Sequence, residues 1–431
     1  MKRSSSGARK RSPERAPSTQ EILAGFTEAT GINVSLVLTD EDALPSLMTA
    51  NFAAGTLPDV VFHPVDFTAT WYNEGILDGG AATTIIEELG ADNFSALGLV
   101  GDGMGGYMAI PSDGWGQLLI YRADLFEAAG LEAPTTFEAI EAAAMALNDP
   151  DNNFYGIVAA TDPGAVFTQQ TFEHFALANG VSLTDGEGNV TLNTPEMIEA
   201  IDFYTRVVGT YGPPGVQDVV STRATYFAGQ AAMIVWSPFI LDEMAGLRDA
   251  AFPACPECTD DPAFLAANSA IVPAFVGPSG MEPVQYGQVS NLGITTGASE
   301  AALEFARYWL SEGYLPWLGT SPEGKFPMLR GTGDNPTAFI DGWSTLETGV
   351  DTRAPLSDFY GEDVIQTLIE GAAGFARWGF NEGQGALVGG VYQELPVPEL
   401  LAEVLNGSLT PEEAAEEMQF LVEEIQAAQA E

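Results

Sequence analysis

One tryptophan and one aspartate are placed where they could contact a small molecule. Trp115 lies between Gly114 and Gly116, shortly after Pro111, and Asp113 precedes it by two positions. The pattern predicts a short strand that stops at Pro111, followed by a loop in which the two glycines leave the indole accessible. An accessible indole can stack on the apolar faces of a ligand, and a carboxylate can accept hydrogen bonds from hydroxyl groups. The alternatives are a tryptophan of the hydrophobic core and a solvated aspartate in a turn.

Sequence motifs for covalent, phosphate or zinc chemistry are absent or poor. The chain contains no G-x-S-x-G, no G-x-x-x-x-G-K-[ST] and no H-E-x-x-H. The glycine-rich segment 101–106 precedes a predicted strand rather than a helix, which favours a turn over a phosphate cradle. Segment 185–189 resembles part of a calcium loop but lacks the terminal bidentate glutamate, which favours a hairpin. With sixty Asp and Glu, a carboxylate pair at glycosidase spacing is expected by chance, so acids alone do not indicate an enzyme.

The two cysteines, Cys255 and Cys258, lie in one proline-containing acidic loop. A zinc site needs four ligands, and the chain has only two histidines, His63 and His174, to add. A redox pair would be expected at a helix start that follows a strand. We therefore expect a local disulfide that pins a surface loop, which fits an oxidising compartment, and we expect no metal or other cofactor.

The charge of the chain is strongly negative. Beyond residue 17 there are 59 acidic and 9 basic residues, and Lys325 is the only lysine after Lys10. Such a surface repels nucleic acid and anionic membranes, because phosphate binding needs clustered Lys and Arg. A salt-rich habitat, in which screening relieves the self-repulsion, and an acidic protein of ordinary origin both remain open.

Strands and helices alternate along the chain. Residues 118–121 are typical of an apolar strand, 123–129 of a helix that ends at Gly130, and 60–62 of a buried strand. Residues 32–38 alternate as a strand does. The β-α-β alternation predicts the α/β class, with parallel sheets covered by helices.

Five motifs in order resemble those of the type 1 extracellular solute-binding proteins, the carbohydrate-binding partners of ABC importers. They are FTEATGINVSLV…LPDVVF, GYMAIP…LLIYRADLF…GLEAPTTFE, FAGQAAMIVWSPF, AALEFARYWL and NGSLTPEEAAEEM. Arg122 stands where Asn is usual, Phe137 where Trp is usual, and Ser237 where Gly is usual. The resemblance covers about residues 20–425 and implies a two-lobed, maltose-binding-protein-like fold (type II). Each lobe would be a mainly parallel sheet flanked by helices, with a cleft and hinge between the lobes.

The resemblance also implies which loops contact a ligand. Phe239 takes the place of a stacking tryptophan of the family, and Trp236 lies on the same loop, although either ring could belong to the core. Asp66 follows a strand where a sugar-binding acid is often found, or it caps a helix. His63 on the same loop could donate to a hydroxyl group or could simply be packed.

Four further residues come from the same alignment. Asp162 lies on a cleft loop of the second lobe, Trp378 on a late segment that often contributes an aromatic side chain, and Asn291 at the second crossover. Arg377, beside Trp378, could hold a ligand carboxylate, but an ion pair with a surface acid is the favoured interpretation.

We therefore expect a solute-binding protein of an ABC importer that captures a sugar or oligosaccharide by lobe closure and delivers it to a membrane permease. It would be a monomer, would bind no nucleic acid, and would lie in the periplasm or outside the cell, with membrane anchoring open. The alternatives are a secreted carbohydrate-active enzyme that uses Asp66 and Asp162, or the same fold with a polyamine or another small solute as ligand.

The expected lobes are discontinuous in sequence. The N-lobe takes residues 18–113 and 285–325, and the C-lobe takes 114–284 and 326–431. Residues 1–17 are expected to form a disordered basic tail. They resemble the start of a signal peptide without its apolar region, so we expect a misassigned or truncated start. The first helix is expected to begin with a capping box of Ser18 and Glu21.

Overall fold

The computed structural model describes residues 15–39, 43–372, 374–380 and 382–429. The residues of the expected tail before Arg15 lie outside this range. The first helix begins at Arg15 and runs to Thr30, so the predicted start at Ser18 and the assignment of residues 15–17 to a disordered tail are wrong. Pro17 fits in the first turn because a helix does not use the first N–H groups.

Eighteen helices and ten strands, with several short 3-10 turns, make up the described chain. The helices are α1 (Arg15–Thr30), α2 (Leu44–Ala54), α3 (Thr68–Asn73), α4 (Gly79–Leu89), α5 (Ala123–Ala129), α6 (Phe137–Leu147), α7 (Val166–Ala178), α8 (Pro195–Tyr211), α9 (Val219–Phe227), α10 (Leu241–Met244), α11 (Phe264–Asn268), α12 (Glu300–Trp309), α13 (Tyr314–Leu318), α14 (Ala338–Trp343), α15 (Glu362–Gly371), α16 (Gly385–Glu394), α17 (Pro396–Leu405) and α18 (Pro411–Gln429). The strands are β1 (Val60–Pro64), β2 (Ile110–Gly116), β3 (Leu118–Arg122), β4 (Met233–Trp236), β5 (Ser269–Val272), β6 (Gln285–Ile294), β7 (Phe326–Pro327), β8 (Glu347–Thr348), β9 (Ala354–Pro355) and β10 (Phe375–Ala376).

The chain divides into two compact units. Unit 1 comprises the residues up to Asp113 together with Val289–Leu346, and unit 2 comprises Gly114–Gln288 together with the residues from Glu347 onward. The chain therefore changes unit three times, twice inside a strand. The division into an N-lobe and a C-lobe, with the boundaries given above, stays a prediction.

The mixture of helices and sheets confirms the α/β class, but the strand directions differ from the expectation. In unit 1, β1 pairs antiparallel with β6, from Val60 opposite Ile294 to Pro64 opposite Ser290. In unit 2, β3 lies between β4 and β5 and is antiparallel to both, whereas β10 pairs parallel with β6. The predicted mainly parallel character is therefore wrong for the pairs β1–β6, β3–β4 and β3–β5. The paired strands lie far apart in sequence, so no local β-α-β crossover sets their direction.

Residues 32–38 do not form the predicted strand. They are irregular, and the side chains of Val34, Leu36, Val37 and Leu38 are exposed. A strand needs a hydrogen-bonding neighbour, and within the described ranges no strand pairs with this segment.

The disulfide between Cys255 and Cys258 is present, as predicted. Both cysteines are buried in the hydrophobic core of unit 2, whereas Pro256 and Glu257 between them are exposed. The bond therefore ties a surface turn to the core. Among the described residues, no helix is both long enough and apolar enough to cross a membrane.

Candidate functional site

Trp115 lies in a strand and not in the predicted loop. Strand β2 continues through Pro111 to Gly116, because a proline near the start of a strand removes only one hydrogen-bond donor. The indole of Trp115 is half-buried. Its accessibility therefore depends on the side chains around it rather than on a loop conformation.

In unit 1, the Asp113 carboxylate is buried and lies close to Trp317, Ser112 and Lys325. Its Oδ1 accepts hydrogen bonds from Trp317 Nε1 at 2.6 Å and from Ser112 Oγ at 3.2 Å. Its Oδ2 lies 3.8 Å from Lys325 Nζ. Asp113 is therefore not the solvated turn residue of the alternative interpretation, because burial of a charge requires partners of this kind.

Lys325 and two aromatic residues continue this cluster. The Lys325 ammonium lies 3.3 Å from the centre of the Trp317 ring and 5.7 Å from that of Phe62. Phe62 and Trp317 pack edge to face at 4.9 Å, and both are half-buried. Sequence reasoning missed Trp317 and Phe62, although the isolation of Lys325 in a chain nearly free of lysine was a signal for this position.

The structure brings His63 and Asn291 together in unit 1, where they are paired across β1 and β6. Both are buried. The Nδ1 of His63 lies 2.9 Å from the carbonyl oxygen of Pro64, and Asn291 Nδ2 donates to Thr68 Oγ1 at 3.1 Å. His63 Nε2 and Asn291 Oδ1 have no hydrogen-bond partner among the described residues.

Burial controls the charge of His63. Desolvation lowers the pKa of His63 to about 4, although the backbone of Pro64 and the charge of Asp66 act in the opposite direction. The imidazole is therefore neutral at pH 7. Asp66 is buried within the 3-10 turn Val65–Phe67 just after β1, and the N-cap positions of this turn and of α3 are Pro64 and Phe67, so the alternative that Asp66 is a helix N-cap is wrong.

In unit 2, the ring of Trp115 lies beside that of Tyr286, and uncharged polar side chains surround the next two residues of the chain. The two ring centres are 6.0 Å apart. The Gln285 amide lies against Gly116, where any Cβ would collide with it, and Gln285 Nε2 donates to the carbonyl of Gln117 at 3.1 Å. The Oε1 atoms of Gln117 and Gln285 are buried without a partner among the described residues.

The first turns of α7 belong to the same polar region. Gln117 Nε2 donates to Thr171 Oγ1 at 3.2 Å. Thr168 lies one turn earlier on the same side of the helix, and its Oγ1 is buried without a described partner, as are both side-chain amide atoms of the adjacent Gln169. The amides and hydroxyls of this helix gave no recognised motif, so sequence reasoning did not select them.

Four predicted aromatic or acidic candidates are distributed through unit 2. Trp236 ends β4 inside the core and packs edge to face on Phe167 at 4.6 Å. Trp378 is buried and donates from Nε1 to the carbonyl of Val181 at 3.1 Å. Phe239 and Asp162 are half-buried, and Asp162 Oδ1 accepts from Gly164 N at 3.0 Å.

Arg377 is in an ion pair, but the pair is not on the surface. The Arg377 and Glu173 side chains have no exposed area, and Arg377 Nε lies 3.0 Å from Glu173 Oε1. The expected pairing with a surface acid is therefore wrong. The sequence could not show this burial, because the acid comes from α7, 204 positions earlier.

Segment 185–189 is a turn closed by its own aspartate. Asp185 Oδ1 accepts from the backbone N–H groups of Glu187 and Asn189, and Oδ2 accepts from Asn189 Nδ2. The hairpin interpretation fits this pattern. In the described parts of the chain no group of three or more His, Cys, Asp or Glu side chains could hold a metal ion.

Comparison with known proteins gives the family. Residues 12–315 match the bacterial extracellular solute-binding protein family. The chain is 29% identical over 326 residues to the ABC transporter periplasmic-binding protein YcjN of Escherichia coli K12, covering 74% of this chain and 71% of that protein. It is 28% identical over 193 residues to a mannitol-binding protein of Pseudomonas aeruginosa, with 43% of each chain covered.

Solved structures show the same fold. A solute-binding protein of Agrobacterium radiobacter in complex with ribitol superposes with a TM-score of 0.66 at 20% identity, with 96% of each chain covered. Maltose-bound MalE3 of T. maritima superposes with a TM-score of 0.71 at 18% identity, covering 96% of this chain and 97% of that one. The predicted two-lobed binding-protein fold is thereby confirmed. On the match over residues 12–315, the chain belongs to the bacterial extracellular solute-binding protein family.

Proposed function

We propose that this protein binds a neutral sugar or polyol outside the cytoplasm and delivers it to the permease of an ABC importer. The observation that carries the choice of ligand is the surroundings of Trp115. The indole of Trp115 is half-buried beside the ring of Tyr286, and the next two positions of the chain bring in uncharged amides, since Gln285 packs against Gly116 and Gln117 follows it. An indole suits the C–H faces of a sugar or polyol, and amides both donate to and accept from hydroxyl groups.

The names of related proteins support this chemistry. One relative is a mannitol-binding protein, and solved structures of the same fold contain ribitol, D-mannitol and maltose. These ligands share neutral, densely hydroxylated chains or rings. Ribitol, D-mannitol and maltose are therefore the first ligands to test with this protein.

Among the candidate residues, we assign direct contact with the ligand to Trp115, Phe239 and Asp162, which are all half-buried. Trp236 and Trp378 are better suited to support the core, because their rings are buried and the Trp378 N–H is already bonded. In unit 1, the buried polar residues His63, Asp66, Asp113 and Asn291 are proposed to supply hydrogen bonds.

The remaining parts of the proposal follow from the family. Its members bind solutes and do not transform them, and we propose that this chain likewise has no catalytic activity. We propose a monomer that acts in the periplasm or outside the cell and captures its ligand by lobe closure. Closure would use the binding energy to shift a conformational population, which the permease then senses.

A thermal-shift experiment in high salt tests the ligand. D-Mannitol, ribitol, maltose and spermidine are added at increasing concentrations, and each carbohydrate is recovered afterwards. A dose-dependent rise of Tm with an intact sugar or polyol supports the proposal, because a ligand that binds only the folded state raises its stability. Recovery of a hydrolysed product would support an enzyme instead, and a rise with spermidine alone would overturn the choice of ligand.

A further inference from the structure

Unit 2 contains a buried charge network that the proposed binding function does not itself require. Glu173 on α7 and Arg377 after β10 form its centre, with a 3.0 Å contact between Arg377 Nε and Glu173 Oε1. Glu173 Oε1 also accepts the backbone N–H of Trp378 at 3.0 Å. On its other side, Arg377 donates from Nη1 to Gln288 Oε1 at 2.9 Å.

Aromatic rings enclose the Arg377 guanidinium. Its central carbon lies 4.7 Å from the ring centre of Tyr286 and 5.1 Å from those of Tyr392 and Phe380. The Tyr392 hydroxyl donates to Glu173 Oε2 at 2.6 Å and lies 3.2 Å from the Tyr286 hydroxyl. Tyr286 and Tyr392 are therefore each held both through the ring face and through the hydroxyl group.

Stability alone is a weak explanation for such a network. The desolvation of two buried charges offsets most of their mutual attraction, and apolar side chains of the same volume often serve the fold equally well. A planar guanidinium does fix the position of the groups around it, because its donors and its faces have set directions. The network is therefore suited to holding the side chains around the guanidinium in fixed positions.

The network is connected to Trp115 through Tyr286. The Tyr286 and Trp115 rings are neighbours at 6.0 Å, and the Tyr286 carbonyl accepts the N–H of Gln117 at 2.8 Å. Tyr286 thus contacts the side chain of Trp115 and also holds the backbone two residues beyond it. The small neighbour Gly116 leaves Trp115 without a bulky side chain next to it in sequence.

We propose that Arg377 and Glu173 are positioning residues that hold Trp115, through Tyr286, in the orientation in which a sugar or polyol stacks on it. The orientation of the indole is a property of the free protein. Only its use for stacking rests on the proposed function, so the two parts are tested separately.

The first experiment measures the indole without a ligand. The protein is labelled with 5-fluorotryptophan, and the Trp115 resonance in the ¹⁹F NMR spectrum is assigned with Trp115→Phe. Arg377→Met, and Tyr392→Phe as a milder variant that removes one hydroxyl group, are expected to shift or broaden this resonance. Arg122→Met is the matched control, because Arg122 is also buried in unit 2 but contacts Asp124 and Phe264, which are not part of the network.

The control should leave the Trp115 resonance at its original position and width. An unchanged Trp115 resonance in Tyr392→Phe and in a folded Arg377→Met would overturn the positioning role. An equal change in Arg122→Met would overturn it too, because any loss of a buried arginine would then disturb the indole.

The second experiment uses D-mannitol, ribitol and maltose as probes in a double-mutant cycle. Arg377→Met should weaken binding about tenfold in the wild-type background and much less in the Trp115→Ala background, because coupled residues lose their additivity. An equal weakening in both backgrounds would show that Arg377 does not act through Trp115. If no probe binds wild-type protein, the proposed ligand fails, while the NMR result still decides the positioning role.

Discussion

The indole N–H of Trp317 donates a 2.6 Å hydrogen bond to Asp113 Oδ1, and the same indole ring lies under the ammonium of Lys325. Asp113 is the last residue of unit 1 before the chain enters unit 2. A buried carboxylate is thus held by an indole donor and a nearby cation at the point where the chain leaves the unit. Hydrogen bonds to charged acceptors are stronger than those between neutral groups.

We expect Trp317→Phe to lower the free energy of unfolding of unit 1. The variant leaves the buried Asp113 carboxylate without its shortest donor, at a cost of about 1.5–3 kcal/mol. Unfolding in urea, which does not screen charges, measures the change. In the Asp113→Ala background the same substitution should cost less by about that amount, and equal costs in both backgrounds would show that the bond contributes nothing.

Two buried histidines predict a pH dependence. Burial lowers the pKa of His174 and of His63 to about 4, against about 6.5 in an unfolded chain. Between these values the unfolded state binds more protons, so stability rises with pH across this window and falls on acidification. From pH 7 to pH 5, each histidine should remove about 2 kcal/mol from the free energy of unfolding.

The variant His174→Gln isolates this effect from the many carboxylates. The difference in the free energy of unfolding between pH 7 and pH 5 should be smaller in the variant by about 2 kcal/mol. Urea unfolding at both pH values gives the comparison. If the free energy of unfolding changes equally between the two pH values in both proteins, His174 has the same pKa in the folded and the unfolded state.

Local features of the fold could be predicted from the sequence. The helix Ala123–Ala129 with its Gly130 end is observed as expected. The start of α18 is fixed just as locally, since Thr410 Oγ1 accepts from Glu413 N and Glu413 Oε2 accepts from Thr410 N. These signals lie within a few residues. The direction of β1 could not be predicted, because it is set by pairing with β6, more than two hundred positions away.

The candidate site was harder to predict than the fold. The motif around Trp115 selected a segment that packs on Tyr286 and Gln285, but these surrounding residues come from a distant part of the chain and could not be selected from it. The buried pair of Arg377 and Glu173 reads as two ordinary charged residues in the sequence. Whether a residue is buried depends on the segments that pack against it, and the neighbouring sequence does not show which segments these are.

The charge of the chain predicts a stability that depends on salt. Basic residues of the described chain that form ion pairs with acids include Arg122, Arg206, Arg223, Arg248, Arg307, Lys325 and Arg377. The 59 acids still leave a large excess of negative charge. Their repulsion acts over about 10 Å at 0.1 M salt and about 3 Å at 1 M.

We expect Tm to rise as NaCl increases from 0.05 to 1 M, most steeply below about 0.3 M where the screening length falls fastest. Thermal unfolding followed by circular dichroism gives the curve. Sucrose at matched osmolality is the control, since it does not screen charges. A Tm that is constant over this range would show that the excess acids lie too far apart in the folded state to repel one another.

The contribution of Trp115 to binding can be measured once a probe binds. Trp115→Ala removes the half-buried ring and should weaken binding by about 1–3 kcal/mol, whereas Trp115→Phe should keep part of the stacking surface. Trp343→Phe is a suitable control, because Trp343 is buried in unit 1 and donates its N–H to the carbonyl of Pro322. Isothermal titration in high salt gives the affinities. If Trp115→Ala is folded and binds as tightly as wild type, Trp115 does not contact the ligand. The neutral amides of Gln117 and Gln285 would then have to recognise the ligand without stacking on Trp115.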